Sequence, residues 1–248
     1  MSGHSKWATI KRKKAKTDAA RGKVFTKLIR EIMVAARMGG SDEAMNARLK
    51  VACQKAKAAN MPMDNIEKAK KKGAGELDGQ VYEELTYEGY GPSGIAIFVE
   101  TMTDNKVRTV GEVRHAFAKN GGNLGESGSV GWMFHKKGLI LLNADGLDEE
   151  EVMEFVLEVG AEDFKSEDDK FEIYTSFEDY VSVSDIILEK FGDKVESSEL
   201  TMIPDNYVKL PSDRVKSFMK LIDMLEDSDD VQNVYHNAEI DDADLENF

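Results

Sequence analysis

The chain has 248 residues, 47 acidic and 33 basic, for a formal net charge of −14, with 41% hydrophobic and 32% charged residues. That composition describes a globular chain of one to three domains and excludes collagen-like repeats and wholesale disorder. Apolar runs such as Ile32–Ala36 and Leu139–Leu142 fall far short of the roughly 18 residues a membrane helix needs. The first 23 residues hold no apolar stretch that could act as a secretory signal. The single cysteine, Cys53, cannot form an internal disulfide, which suits a reducing compartment. A cytoplasmic protein with no membrane partner is expected.

The charge is divided along the chain. Up to Lys72 there are 19 basic against 6 acidic residues, a balance of +13, and beyond it 14 against 41, a balance of −27. The first part will be drawn to polyanions and the remainder repelled by them. Lys6, Lys11, Arg12, Lys13, Lys14, Lys16, Arg21 and Lys23 face one acid, Asp18, with His4 and Trp7 interleaved. Such a cluster is a counterion-release device for phosphates. A membrane-surface helix is disfavoured, because this stretch offers only Trp7, Ile10 and alanines as apolar surface. Of the 19 cations, 14 are lysine and 5 arginine. Lysine is a point charge suited to phosphate more than to forked readout of a base edge.

From Asp18 to Met38, Val24, Phe25, Leu28, Ile29, Ile32, Ala35 and Ala36 recur at helical spacing. Lys16, Lys23, Lys27, Arg30 and Arg37 follow at steps of 7, 4, 3 and 7, which predicts one outward basic face. With the N-terminal cluster and Trp7, the residues Lys23, Lys27 and Arg30 make the expected nucleic-acid-binding set. A second helix turns Leu49, Ala52, Cys53 and Ala56 inward and stops before Met61-Pro62. A third, with Asp64 as N-cap and Glu67 three residues on, runs to Lys72.

Gly73 to Gly79 is the expected linker, after which the pattern turns to strands. Strands are predicted over 82–87, 95–101 and 129–134, with a helix over 107–119 that stops at Asn120-Gly121-Gly122. Residues 137–202 then read strand, helix, strand, strand, helix, strand, the ferredoxin-like order. A strand over 206–210, a helix over 212–225 and a strand over 231–238 would complete a second unit of that kind, followed by an acidic tail. The expected architecture is α+β: a basic three-helix domain and linker (1–79), a discontinuous α/β domain (80–135 plus 204–248), and a ferredoxin-like domain (136–203) inserted in it.

Gly89-Tyr90-Gly91-Pro92-Ser93-Gly94 matches the dinucleotide fingerprint in letters, but a predicted strand follows it instead of a helix, so it is expected to turn a hairpin. His4, His115, His135 and His236 are dispersed, and no zinc spacing, P-loop or nucleophile elbow occurs. No metal, cofactor or catalytic activity is expected. The acidic run Glu226–Asp230 reads as a solvated turn. Asn120–Gly131 is a second glycine-dense loop, whose bare backbone could approach a flat partner closely. Arg108, Arg114, His115, Gly121, Gly122 and Asn123 form a possible second contact there.

Gly3-His4-Ser5-Lys6-Trp7-Ala8-Thr9-Ile10-Lys11, Arg21–Glu31, Tyr87–Pro92, Asp104–Thr109, Glu112–Phe117 and Gly121–Gly125 together resemble the YebC family from residue 2 to the end. One departure is Ala47 after Asn46, where relatives often carry proline. The resemblance implies three domains and nucleic-acid binding without catalysis. Bacterial members are labelled transcriptional regulators. A mitochondrial relative activates translation, and bacterial relatives are associated with easing ribosomes through proline runs. The resemblance motif starts at residue 3, so a bacterial cytosolic member without a targeting extension is expected. The function expected first is a ribosome-associated translation factor on ribosomal RNA, acting as a monomer; the alternative is a DNA-binding transcriptional regulator.

Overall fold

The structure, a computed structural model, describes residues 21–167 and 169–245. They form two compact units: residues 132–207, and residues 21–131 together with 208–245.

The larger unit opens with three helices, α1 (Arg21–Gly39), α2 (Ala47–Ala58) and α3 (Met63–Gly73). Apolar residues at three- and four-residue steps put Ile32, Ala35, Ala36, Leu49, Ala52, Cys53, Ala56, Ile66 and Ala69 in one core, with Tyr82 packed against it. Burial pushes the Cys53 thiol up to about 11, as suits a small core residue. Asn46 caps α2 by accepting from the Leu49 N–H at 3.0 Å, and its amide donates to the carbonyls of Ala35 at 2.7 Å and Gly40 at 2.9 Å. This cap works with Ala47 at the first helical position. Asp64 lies within the first turn of α3, after Pro62, and does not cap it.

The helices lead into β1 (Glu83–Tyr90) and β2 (Ala96–Thr103), an antiparallel hairpin closed by a turn at Pro92–Gly94. A strand therefore follows the glycine fingerprint. Next come α4 (Lys106–Lys119) and the short β3 (Asn123–Leu124). In the smaller unit, β4 (Phe134–Asn143), α5 (Glu149–Glu158), β5 (Asp163–Glu167), β6 (Lys170–Thr175), α6 (Tyr180–Phe191) and β7 (Val195–Pro204) form an antiparallel sheet ordered β5-β6-β4-β7. That is the ferredoxin-like arrangement. Its core is Ile140, Leu142, Val152, Val156, Phe171, Ile173, Val183 and Ile187.

The chain then returns to the larger unit through β8 (Val208–Lys209), α7 (Ser212–Asp227), β9 (Val231–His236), β10 (Ala238–Glu239) and α8 (Asp242–Leu245). The main sheet has order β3-β1-β2-β9, and β8 pairs with β10 in a separate parallel ribbon. α4 and α7 share one core with Ile95, Ile97, Val99, Val231 and Val234, so both helices cover one face of the sheet.

The class is α+β, and two strand expectations need correction. Residues 129–133 form no strand; Phe134 begins one long strand to Asn143, and the sheet position expected for 129–134 is filled by β3. Because β8 leaves the main sheet and β1 enters it, the larger unit has the two-layer construction without the ferredoxin strand order. At the start of the acidic tail, Leu245 of α8 packs against the core.

Candidate nucleic-acid interface

The expected contacts Lys6, Trp7, Lys11, Arg12, Lys13, Lys14 and Lys16 lie outside the described residues, as does the side chain of Arg21. Lys23, Lys27 and Arg30 of α1 are described, and the expectation of an outward face is corrected for Arg30, while Lys23 stays exposed but is paired. Arg30 is buried at 9% exposure. Its Nη1 donates to Asp230 Oδ1 at 2.7 Å, to the Met102 carbonyl at 3.1 Å and to the Asp229 carbonyl. Its guanidinium lies 5.0 Å from the centre of the Tyr82 ring. Lys27 donates to the Glu226 carbonyl at 2.9 Å, and Lys23 pairs with Asp227 at 3.1 Å. The C-terminal end of α7 and the turn after it thus meet the α1 cations, where a carbonyl-rich helix end favours positive charge.

Asp230 is the centre of this arrangement and is itself only 2% exposed, so the solvated-turn reading of Glu226–Asp230 fails at its last residue. Besides Arg30, Asp230 accepts from Arg108 Nε at 3.1 Å and Nη2 at 2.7 Å, from Thr109 Oγ1 at 2.7 Å and from Thr103 Oγ1 at 3.1 Å. Burial alone would raise its carboxyl, but the bonds from Arg108 and Thr109 and the Arg30 charge outweigh that and hold it below the usual value. Asp104 adds a second carboxylate to Arg108 at 2.7 Å. Arg108, though exposed, therefore cross-links α4 to the turn before β9.

Other cations face outward, Arg37 in the last turn of α1 among them. Arg37, Lys50, Lys55, Lys68, Lys71 and Lys72 are exposed, and none has an ion pair among the described residues. Arg48, by contrast, is held by Glu31 at 2.9 Å and Glu84 at 2.5 Å, and Lys70 by Glu43 at 3.1 Å and Glu67 at 3.0 Å. Lys68, Lys71 and Lys72 share one face of α3, opposite the buried Ile66 and Ala69.

The glycine-dense loop is organised by a residue that the sequence reading missed. Glu88, 6% exposed, stands opposite Phe98 in β2. Its carboxylate accepts from the N–H groups of Gly128 at 2.8 Å, Val130 at 2.7 Å and Gly131 at 2.6 Å. Burial would raise its pKa, and the three N–H donors bring it below the usual value. Gly121 has φ +77°, and a side chain at Gly122 would meet the Tyr90 carbonyl at 2.7 Å. Gly122 and Asn123 are thus part of the β3 pairing with β1, Tyr90 opposite Asn123. Arg114 and His115 are exposed on α4.

Neither Asp230 nor Glu88 carries a signature in the sequence. Asp230 is one acid of a run, distinguished only by preceding an apolar strand. Glu88 is an acid in a strand whose alternate residues look solvent-facing. Among the described residues no group of three or more His, Cys, Asp or Glu is placed to hold a metal ion, and no helix is long and apolar enough to cross a membrane.

A basic helical layer joined to an acidic α+β body defines the class of protein. Residues 5–76 match the model of the TACO1/YebC protein N-terminal domain, and residues 82–238 that of the TACO1/YebC second and third domain. The chain belongs to the TACO1/YebC family. It is 56% identical over 245 residues to a protein of Acidithiobacillus ferrooxidans, covering 99% of this chain and 97% of that one. It is 55% identical over 246 residues to one of Geobacter sulfurreducens, covering 99% of each. Both relatives are called probable transcriptional regulatory proteins. The crystal structure of a conserved hypothetical protein from Aquifex aeolicus, 48% identical, superposes with a TM-score of 0.78 over 92% of this chain and 93% of that one.

Proposed function

We propose that this chain is a non-enzymatic, nucleic-acid-binding regulator of gene expression that docks its basic helical layer on ribosomal RNA as a cytosolic translation factor. The observation that carries this reading is the sorting of the cations. Two arginines, the residue type best suited to forked base readout, are committed to carboxylates: Arg30 and Arg48. The outward cations without such partners are Arg37 and five lysines, which suit phosphate. Lys6, Lys11, Arg12, Lys13, Lys14 and Lys16 add to that charge from the N-terminal side in sequence. The narrower role, easing stalled elongation such as at proline runs, rests on the family resemblance.

Sedimentation of the intact chain through a ribosome gradient tests the reading. Co-migration that disappears after ribonuclease treatment and at high salt is expected; a chain that stays at the top of the gradient overturns it. A second reading, a DNA-binding transcriptional regulator, is favoured by the names of the bacterial relatives. It predicts sequence-selective binding to duplex DNA, with mismatches costing about 1–3 kcal/mol each, where the ribosomal reading predicts near-uniform affinity across sequences.

A further inference from the structure

α4 sorts its cations in the same way as the helical layer. Lys106 pairs with Glu83 at 2.6 Å and Arg108 with Asp230 at 2.7 Å. Arg114, His115 and Lys119, in the second half of the helix, are exposed and have no ion pair or hydrogen-bond partner among the described residues. They stand within a part of the chain whose balance is strongly acidic.

The helical spacing puts Val107, Gly111 and Ala118 in one outward stripe, with Arg114 along one side and His115 and Lys119 along the other, where exposed Glu112 also lies and accepts from the Ser228 hydroxyl at 2.9 Å. The opposite side carries the buried Thr109, Val113, Ala116 and Phe117. Gly111 sits in the helix interior with no atom within 4 Å of where its Cβ would be, so no packing inside the protein requires glycine there. Glycine in that place weakens the helix relative to alanine, and what it offers is close approach of a partner to bare backbone.

We propose that this face of α4 is a second nucleic-acid contact, on which a phosphodiester backbone lies across Gly111 and Ala118 between Arg114 and the pair His115 and Lys119. The proposal rests on the reading of the chain as a nucleic-acid-binding protein and extends it to the α/β part. It also replaces Arg108, Gly122 and Asn123, which serve the fold, with Gly111 and Lys119 as contact residues. The Asp230 network ties α1 to α4, so the two basic faces belong to one compact unit.

The test is fluorescence anisotropy of the intact chain with a labelled single-stranded RNA, titrated at several salt concentrations. The variant Arg114→Ala/Lys119→Ala is expected to bind several-fold more weakly, with the slope of log affinity against log salt reduced by about 1.4, at about 0.7 per phosphate contact. Lys216→Ala/Lys220→Ala removes the same charge from exposed positions of α7 and is expected to leave slope and affinity near wild type. Gly111→Gln separates binding from stability: it removes a helix-interior glycine and should raise the melting temperature, yet weaken RNA binding. Equal losses from the two double variants, or wild-type binding by Gly111→Gln, overturn the proposal while leaving the wild-type affinity for RNA intact. Absence of RNA binding by the wild type overturns the proposed function and this contact with it.

Discussion

α1 and α3 both carry basic residues at helical spacing, and the structure uses them in opposite ways. On α1, Lys23, Lys27 and Arg30 are turned onto the end of α7 and the turn after it, ending at the buried Asp230. On α3, Lys68, Lys71 and Lys72 face away from the core with no carboxylate opposite them among the described residues. The difference lies in what each helix packs against. A cation beside a buried acid is a cross-link whose removal strands a charge. A cation on an unopposed face is free to replace counterions on a polyanion.

The comparison breaks most visibly at Asp230. Asp230→Ala leaves Arg30 buried without its carboxylate and should cost about 3–5 kcal/mol in urea unfolding of the intact chain. A loss under about 1 kcal/mol would mean that the α1 cations do not hold the unit together. Glu88→Gln removes the charge that three loop N–H groups share and should cost about 1–3 kcal/mol. Faster hydrogen exchange at Gly128, Val130 and Gly131 would locate the effect in the loop, and unchanged exchange would deny Glu88 its organising role.

The pH dependence has a defined sign. Asp230 and Glu88 both have folded pKa values below their ordinary values of 3.8 and 4.5. Each therefore contributes its full stabilisation above those ordinary values and loses it as pH falls through the lower folded value. The melting temperature should drop on the acid side, and Glu88→Gln should flatten that limb. A profile for the variant parallel to wild type would contradict the assignment. Lys23→Ala should have the smallest effect, under about 0.5 kcal/mol, because its pair with Asp227 is exposed on both sides.

The helices and most strands were legible in the sequence because each buries one stripe or alternating face. On α2 the residues expected inward, Leu49, Ala52, Cys53 and Ala56, are the buried ones; on α1 the expected stripe is met at Ile32, Ala35 and Ala36, with Met33 and Val34 buried as well. The glycine hairpin was legible too, from the β-branched run after it. What escaped was set by distant partners. Arg30 has the spacing of an outward cation, and only an acid 200 residues away turns that position into a core contact. β3 is two residues long and reads as loop; it is a strand because β1 lies beside it. The glycine-dense loop suggested bare backbone for a partner, whereas much of its N–H capacity is spent on Glu88.

The division between holding cations and binding cations is tested most directly by comparing Lys68→Ala/Lys71→Ala/Lys72→Ala with Lys23→Ala/Lys27→Ala in RNA binding by the intact chain. The α3 triple variant should keep wild-type stability and lower the slope of log affinity against log salt by about 2, at about 0.7 per lost phosphate contact. The α1 pair should leave that slope within about 0.5 of wild type. A larger fall for the α1 pair than for the α3 triple would contradict the account.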